Sequence, residues 1–209
     1  MPAEERLQAI RAQVQQCSAC PLYAGRTRAV PGEGPASSRV MFIGEGPGYH
    51  EDQQGQPFVG QAGKFLDELL ACAGLKRAEV FITNVVKCRP PSNRDPEPEE
   101  LKACDQYLNA QIEAINPRVI VTLGRFSMAK FVTNGKISQI HGRPHQVDGR
   151  VVVTMYHPAA ALHQPDLKKT LLEDFGRLKQ FLQQAETPPT PAAPPETHKE
   201  TPPEQLSLF

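Results

Sequence analysis

The sequence predicts a three-layer α/β/α fold around a mostly parallel, four-stranded central sheet. Short β-branched apolar runs of strand length alternate with longer segments of helical periodicity, which is the pattern of crossover-connected parallel strands. The polar and glycine-rich motifs follow the apolar runs, where ligand sites of such folds lie. At 209 residues the chain has room for one domain with a real core and little for a second.

Residues 4–16 (EERLQAIRAQVQQ) carry Leu7, Ile10 and Val14 at helical spacing and run straight into Cys17 and Cys20. A Gly/Pro-rich stretch over 29–38 precedes the first strand, 40–43, which ends in the turn GEGPG, Gly44 to Gly48. After the polar loop EDQQGQPFVG, a helix is expected over 61–73 with Phe65, Leu66, Leu69 and Leu70 inward. The second strand, 80–86, has β-branched and aromatic content. It opens into KCRPPSNRDPEP, whose four prolines forbid regular structure until a helix that starts near Pro98. That helix carries Leu101, Cys104, Leu108, Ile112 and Ile115 and ends before Pro117. A third buried strand spans 119–123, a short helix 124–131, and a fourth strand 150–155 after a connection over 141–147 with Asp148 and Gly149 as the turn. The last helix, 166–182, shows Leu167, Leu171, Phe175, Leu178 and Leu182 on one face.

Apolar content of 39% and a mean hydropathy of -0.43 suit a soluble protein. No run reaches the ~18 apolar residues of a membrane span. The opening MPAEERLQAI lacks the basic and apolar regions of a secretory signal, so a cytoplasmic location is expected. Net charge is zero, but from Glu186 onward four acidic residues face one lysine, which makes the tail -3 and the remainder +3. That weak bias is compatible with a local phosphate-binding face.

The chain has five cysteines. An odd number without an export signal argues against a disulfide scaffold. Cys17 and Cys20 form a C-x2-C pair, Cys88 lies in the proline-rich loop, and Cys104 follows on the next helix. Four thiolates hold either zinc or a [4Fe-4S] cluster, and spacing alone does not choose between them. Cys72, beside Ala71 and Ala73, reads as a small core or boundary residue. A metal group would pin the N-terminal segment and the long loop to the body, and would hold Lys87, Arg89 and Arg94 as a small basic patch suited to phosphates.

Four ordered motifs, GEGPGYHEDQQGQPFVGQAGKFLDELL, ITNVVKCRPPSNRDPEPEELKAC, INPRVIVTLG and YHPAAAL, resemble those of the family 4 uracil-DNA glycosylases, the iron–sulfur uracil glycosylases of bacteria and archaea. The resemblance runs from Cys17 to the helix ending near Leu182. It implies a uracil-DNA glycosylase domain over 1–185 and hydrolysis of the N-glycosidic bond of deoxyuridine, in single- or double-stranded DNA. It favours a [4Fe-4S] cluster on Cys17, Cys20, Cys88 and Cys104 over zinc.

The same resemblance implies a role for each motif residue. Phe58 would stack on a flipped uracil. Asn84 would read its Watson–Crick edge, because an amide offers a donor to O4 and an acceptor for N3–H. His157 would donate to O2 as the base departs, acting as an oxyanion hole acts. Gly44, Glu45, Gly46 and Gly48 form the turn beneath base and sugar. Family 1 enzymes carry a water-orienting aspartate at the position matching Gly46, so here the Glu45 backbone and the DNA phosphates become the candidates for that task. Glu51 is the candidate block against thymine's methyl group, with Tyr49 and His50 as neighbours able to share it. Leu162 would be the wedge that replaces the extruded base, with His163 and Lys168 near phosphates, although Leu162 packed on the last helix reads equally well.

Residues 186–204 (beginning at Glu186) are expected to be a disordered Pro-rich tether. The peptide QLSLF at 205–209 resembles the motif by which bacterial repair proteins bind the sliding clamp, with Gln205, Leu206, Leu208 and Phe209 as anchors. A monomer associated with the nucleoid is expected. The competing readings are a covalent uracil-DNA binder, a clamp-tethered module without catalysis, and a redox protein. The covalent group carries GEQPG and an inserted basic loop, whereas this chain has GEGPG and no insert.

Overall fold

The computed structural model describes residues 1–186, with side chains through 182. The expected tether and terminal peptide lie outside the described residues. In chain order the elements are α1 (Ala3–Gln16), α2 (Leu22–Gly25), β1 (Val40–Gly44), α3 (Tyr49–Gln54), α4 (Gln61–Cys72), β2 (Phe81–Asn84), α5 (Pro98–Ile115) and β3 (Val119–Leu123). They continue as α6 (Arg125–Ala129), α7 (Ile137–Ile140), β4 (Pro144–Val147), β5 (Arg150–Met155), α8 (Pro158–His163) and α9 (Pro165–Glu186). Single 3-10 turns occupy Arg77–Glu79 and Pro91–Asn93.

The sheet order is β2-β1-β3-β5-β4, with β1, β2, β3 and β5 parallel and β4 antiparallel to β5. Side-chain alternation along the strands splits the core into two layers. Phe42, Val121 and Val153 face Leu66, Leu69, Leu171, Phe175 and Leu178 from α4 and α9. Met41, Ile43, Ile120 and Val152 face Leu108 and Ile115 of α5. A satellite cluster of Ile10, Val14, Leu22, Val86, Cys88 and Cys104 fastens α1 and the proline-rich loop to the body.

The three-layer architecture is as expected, but the sheet has five strands rather than four. The extra strand, β4, reads Pro-His-Gln-Val and is half exposed at the sheet edge, so no apolar run announces it. It is held by a hairpin whose turn residues Asp148 and Gly149 both have positive φ (49° and 74°), the geometry that twists with the flanking strands. The polar stretch after GEGPG contains a helix, α3, closed by Gly55 at φ 71°. β2 ends at Asn84, short of the expected 86, and beyond it the amides of Val85 and Val86 donate to the carbonyls of Gly44 and Glu45 (3.0 and 3.1 Å). Cys72 is exposed, not a core residue. No helix of the described residues is long and apolar enough to cross a membrane.

Candidate active site

The carboxyl ends of β1, β2 and β5 converge on a cavity of about 360 Å³ lined by Glu45, Gly46, Pro47, Gly48, Glu51, Phe58, Ala62, Asn84, Pro90, Asn93, Arg94, His157, Ala159 and Ala160. Strand pairing sets Gly44 directly beside Asn84. A Cβ at Gly44 would collide with Asn84 Oδ1 and stand 2.7 Å from Phe58 Cζ. Glycine is needed at that position because the Asn84 and Phe58 side chains close over it.

Asn84 is 1% exposed, and its Oδ1 has no hydrogen-bond partner among the described residues. A buried acceptor without a partner costs about 1–3 kcal/mol, and such a group in a cavity wall is an acceptor waiting for a ligand N–H. Its backbone is braced from behind. Lys87 Nζ donates to Asn84 O (2.8 Å), Thr83 Oγ1 (2.6 Å) and Gln111 Oε1 (2.7 Å).

Phe58 adopts φ 54°, rare for a bulky residue. Two features hold it there. A Cβ at Gly63 would fall on the Phe58 carbonyl, so the close approach of α4 requires glycine at that position. The Glu51 carboxylate accepts from the amides of Val59 and Gly60 (both 2.9 Å) and from that of Gly48 (3.1 Å), which ties the Phe58 loop to the glycine turn. The Phe58 ring lies 5.6 Å from the His157 ring at 25°.

His157 is the N-cap of α8, its Nδ1 accepting from Ala159 N at 3.1 Å. A neutral ring that accepts at Nδ1 carries its proton on Nε2, so the ring presents an N–H donor. Burial pushes its pKa down to about 4, against a smaller upward pull from Glu51. The donor is therefore neutral imidazole at neutral pH. Burial, aided by Asp95, raises the Glu45 carboxyl, while Arg125 opposes.

The basic patch does not form as the sequence suggests. Lys87 is buried (1% exposed) with its ammonium spent on the network behind Asn84, so it is a brace and not a phosphate contact. Burial lowers its pKa to about 8. Arg94 does reach the cavity, but its guanidinium grips Glu100 at both oxygens (2.9 and 2.7 Å), which satisfies its charge and braces the loop. Arg89 alone of the three keeps an outward fork, with Nε donating to Asn93 Oδ1 (2.7 Å). Leu162 is 43% exposed on α8 beside exposed His163. Pro47, Ala62, Pro90, Asn93, Ala159 and Ala160 complete the wall and carry no chemical signature in sequence; only Gly63, as a glycine inside a helical pattern, hinted at a close approach.

Cys17, Cys20, Cys88 and Cys104 line a second, smaller cavity, with no carboxylate or imidazole in its wall. None of the four is in a disulfide. N–H groups already point at three of the sulfurs: Ala19 N to Cys17 (3.4 Å), Arg26 Nη1 to Cys88 (3.2 Å) and Lys87 N to Cys104 (3.2 Å). Burial pushes the Cys104 thiol up to about 11 and also raises Cys20 and Cys88, so loading a metal group must displace protons. Among the described residues no set of three or more His, Cys, Asp or Glu side chains stands at the spacing of a single-ion site. A four-iron cluster would take one thiolate on each iron, farther apart than the ligands of a single ion, and the all-sulfur donor set with N–H···S support suits it.

The family profile described as the uracil DNA glycosylase superfamily matches residues 31–177. A type-4 uracil-DNA glycosylase of Thermotoga maritima is 46% identical over 184 residues, 86% of this chain and 96% of that protein. One of Archaeoglobus fulgidus is 46% identical, covering 83% of this chain and 92% of its own. A type-5 uracil-DNA glycosylase of Thermus thermophilus is 32% identical over 62% of this chain and 68% of its own length. The higher identity and near-complete coverage decide between the two types. With them comes the [4Fe-4S] cluster that the four-thiol cavity fits, and the chain belongs to the type-4 uracil-DNA glycosylases.

Proposed function

We propose that the protein hydrolyses the N-glycosidic bond of deoxyuridine in single- or double-stranded DNA, releasing uracil and leaving an abasic site for base excision repair. The observation that carries this reading is the unpartnered, buried Asn84 Oδ1 in a cavity that also holds the His157 donor and the Phe58 ring. Uracil supplies the missing N3–H and accepts the amide N–H at O4. Cytosine has an acceptor at N3 and a donor at C4, so the same amide faces two mismatches. Phe58 stacks on the base, and His157 Nε2–H meets the negative charge that grows on O2 as the bond to the sugar breaks. No lysine lines the cavity, so a Schiff-base step has no nucleophile there.

Gly46 leaves the attacking water without a side-chain partner, and Glu45 is the acidic group of the cavity on that turn. Its carbonyl already accepts from Val86 N (3.1 Å) and keeps a second lone pair for water. Glu51 acts on thymine through the loop it clamps, because its oxygens are committed to three amides. Leu162, as an exposed apolar tip on a short helix, serves as the wedge, with His163 and Arg89 at phosphates. Cys17, Cys20, Cys88 and Cys104 hold the [4Fe-4S] cluster; when bound, it cross-links α1, the proline-rich loop and α5. A catalytic domain over 1–185, acting as a monomer in the nucleoid, completes the reading.

The test is release of free uracil from a duplex with a single U·G pair, by cluster-loaded protein, with an alkali-labile site left behind. Absence of both products would overturn the reading. A protein–DNA band resistant to denaturant would point to covalent capture, a rival with little support, since His50 is exposed and outside the cavity wall.

The proposal extends to Gln205, Leu206, Leu208 and Phe209 as a sliding-clamp ligand on a Pro-rich tether, 186–204, supported by the resemblance of QLSLF to the clamp-binding motif and by the composition before it. Deleting 205–209 is expected to abolish binding to a bacterial clamp while leaving uracil release from a short oligonucleotide intact. Clamp binding that survives the deletion would remove this part.

A further inference from the structure

Tyr49 opens α3 and is 55% exposed, an unusual state for an aromatic ring beside a functional cavity. Gly48 before it and Glu51 two residues after it line that cavity, which puts the start of α3 at the cavity's edge. The ring is not loose. The Arg89 guanidinium lies over it, 5.2 Å from its centroid, and Arg89 is itself held through Nε by Asn93, another wall residue. His50 meets the ring edge-on at 5.5 Å and 79°. With the guanidinium over the ring and His50 set perpendicular to it, Tyr49 still keeps 55% of its surface exposed.

A positioned aromatic face joined to a cation is the pairing that nucleotides require, base on ring and phosphate on guanidinium. Leu162, on α8 two residues beyond the lining residue Ala160, is another exposed apolar group. We propose that Tyr49 stacks on the nucleobase adjacent to the flipped deoxyuridine on the same strand, with Arg89 on the intervening phosphate. This rests on the glycosylase reading and deepens it. A single strand has no partner bases to hold it in register, so a stacking platform beside the pocket substitutes for the duplex. Tyr49 is a positioning residue, since it touches the neighbouring nucleotide and not the reacting atoms.

The experiment compares kcat/KM for single-stranded oligonucleotides carrying one uracil, with a base or an abasic spacer at the 5′ or the 3′ neighbouring position. In wild type, removing the neighbouring base on one side is expected to cost about ten-fold, the scale of one base–aromatic stack. The two arms identify the side. That ratio should collapse toward unity in Tyr49→Ala and persist in Tyr49→Phe, with the loss carried by KM. An uncleavable 2′-fluoro substrate with 2-aminopurine as the neighbour gives an activity-independent readout: its fluorescence should be quenched on binding wild type and not on binding Tyr49→Ala. A ratio near unity in wild type, or quenching unchanged in Tyr49→Ala, would overturn the inference. Failure of the glycosylase reading is read separately, as no uracil release from any oligonucleotide.

Discussion

Replacing His157 with alanine is expected to lower kcat for uracil release by about 10²–10³-fold, the scale of removing one preorganised oxyanion donor, while substrate binding weakens far less. The donor is fixed before substrate arrives. Ala159 N occupies Nδ1 (3.1 Å), which commits the proton of the neutral ring to Nε2. Single-turnover rates against equilibrium binding to an uncleavable analogue would separate the two effects, and equal losses in both would argue that His157 only helps hold the base.

The same residue sets a pH signature. Burial depresses the ring to about 4 in the folded protein, below the ordinary value of ~6.5. Uracil release should therefore show no acid limb near pH 6.5 arising from this group. The unfolded chain binds a proton that the folded chain refuses. The contribution of His157 to stability is thus full above about pH 6.5 and is lost as pH falls through 4. In the alanine variant that acid-side loss should be relieved, so the stability gap between variant and wild type should shift in the variant's favour as pH drops from 6.5 to 4. Denaturant midpoints across that range would measure it, and parallel curves would show that the ring titrates normally.

Gly63→Ala is expected to lower uracil release by about 10²-fold, a loss of the size that ångström misplacement produces, though Gly63 has no side chain to offer chemistry. The added Cβ would fall on the Phe58 carbonyl, and backbone must move to admit it. Phe58 already holds φ 54°, so the move takes the stacking ring away from the cavity. Overpacking should also cost about 1–3 kcal/mol of stability. The specific outcome is non-additivity: Phe58→Ala with Gly63→Ala should be little worse than Phe58→Ala alone. Multiplied losses in the double variant would show that Gly63 acts elsewhere.

The layered fold was legible because β1, β3 and β5 are apolar on both faces and separated by helices such as α5 and α9 with one apolar stripe. β4 escaped because an edge strand half in water needs no apolar run, as Pro144, His145 and Gln146 show. That the ends of β1, β2 and β5 would meet was legible, and Asn84 and His157 do line one cavity, with Gly44 paired to Asn84. What sequence could not supply was the direction in which charge points. Lys87, Arg89 and Arg94 sit within one loop and read as one patch, yet one ammonium turns inward to Asn84, one guanidinium closes on Glu100 at the cavity wall, and that of Arg89 lies over Tyr49. Glu51 likewise reads as a steric block, but its carboxylate gathers three amides. Backbone hydrogen bonds across the fold decide such matters, and they leave no mark on local composition.

The clamp that Glu51 places on the Phe58 loop has a consequence for how damage is found. The slot for the base is finished in the free protein, its aromatic floor locked between a carboxylate and a helix glycine. Recognition then demands little rearrangement of the enzyme, and nearly all the distortion falls on the DNA. Such an enzyme surveys the genome less by reshaping itself around each base than by accepting those already loosened from their neighbours. Wobble pairs, breathing ends and exposed template would be cleared first, and uracil in a well-stacked A·U pair would persist longest.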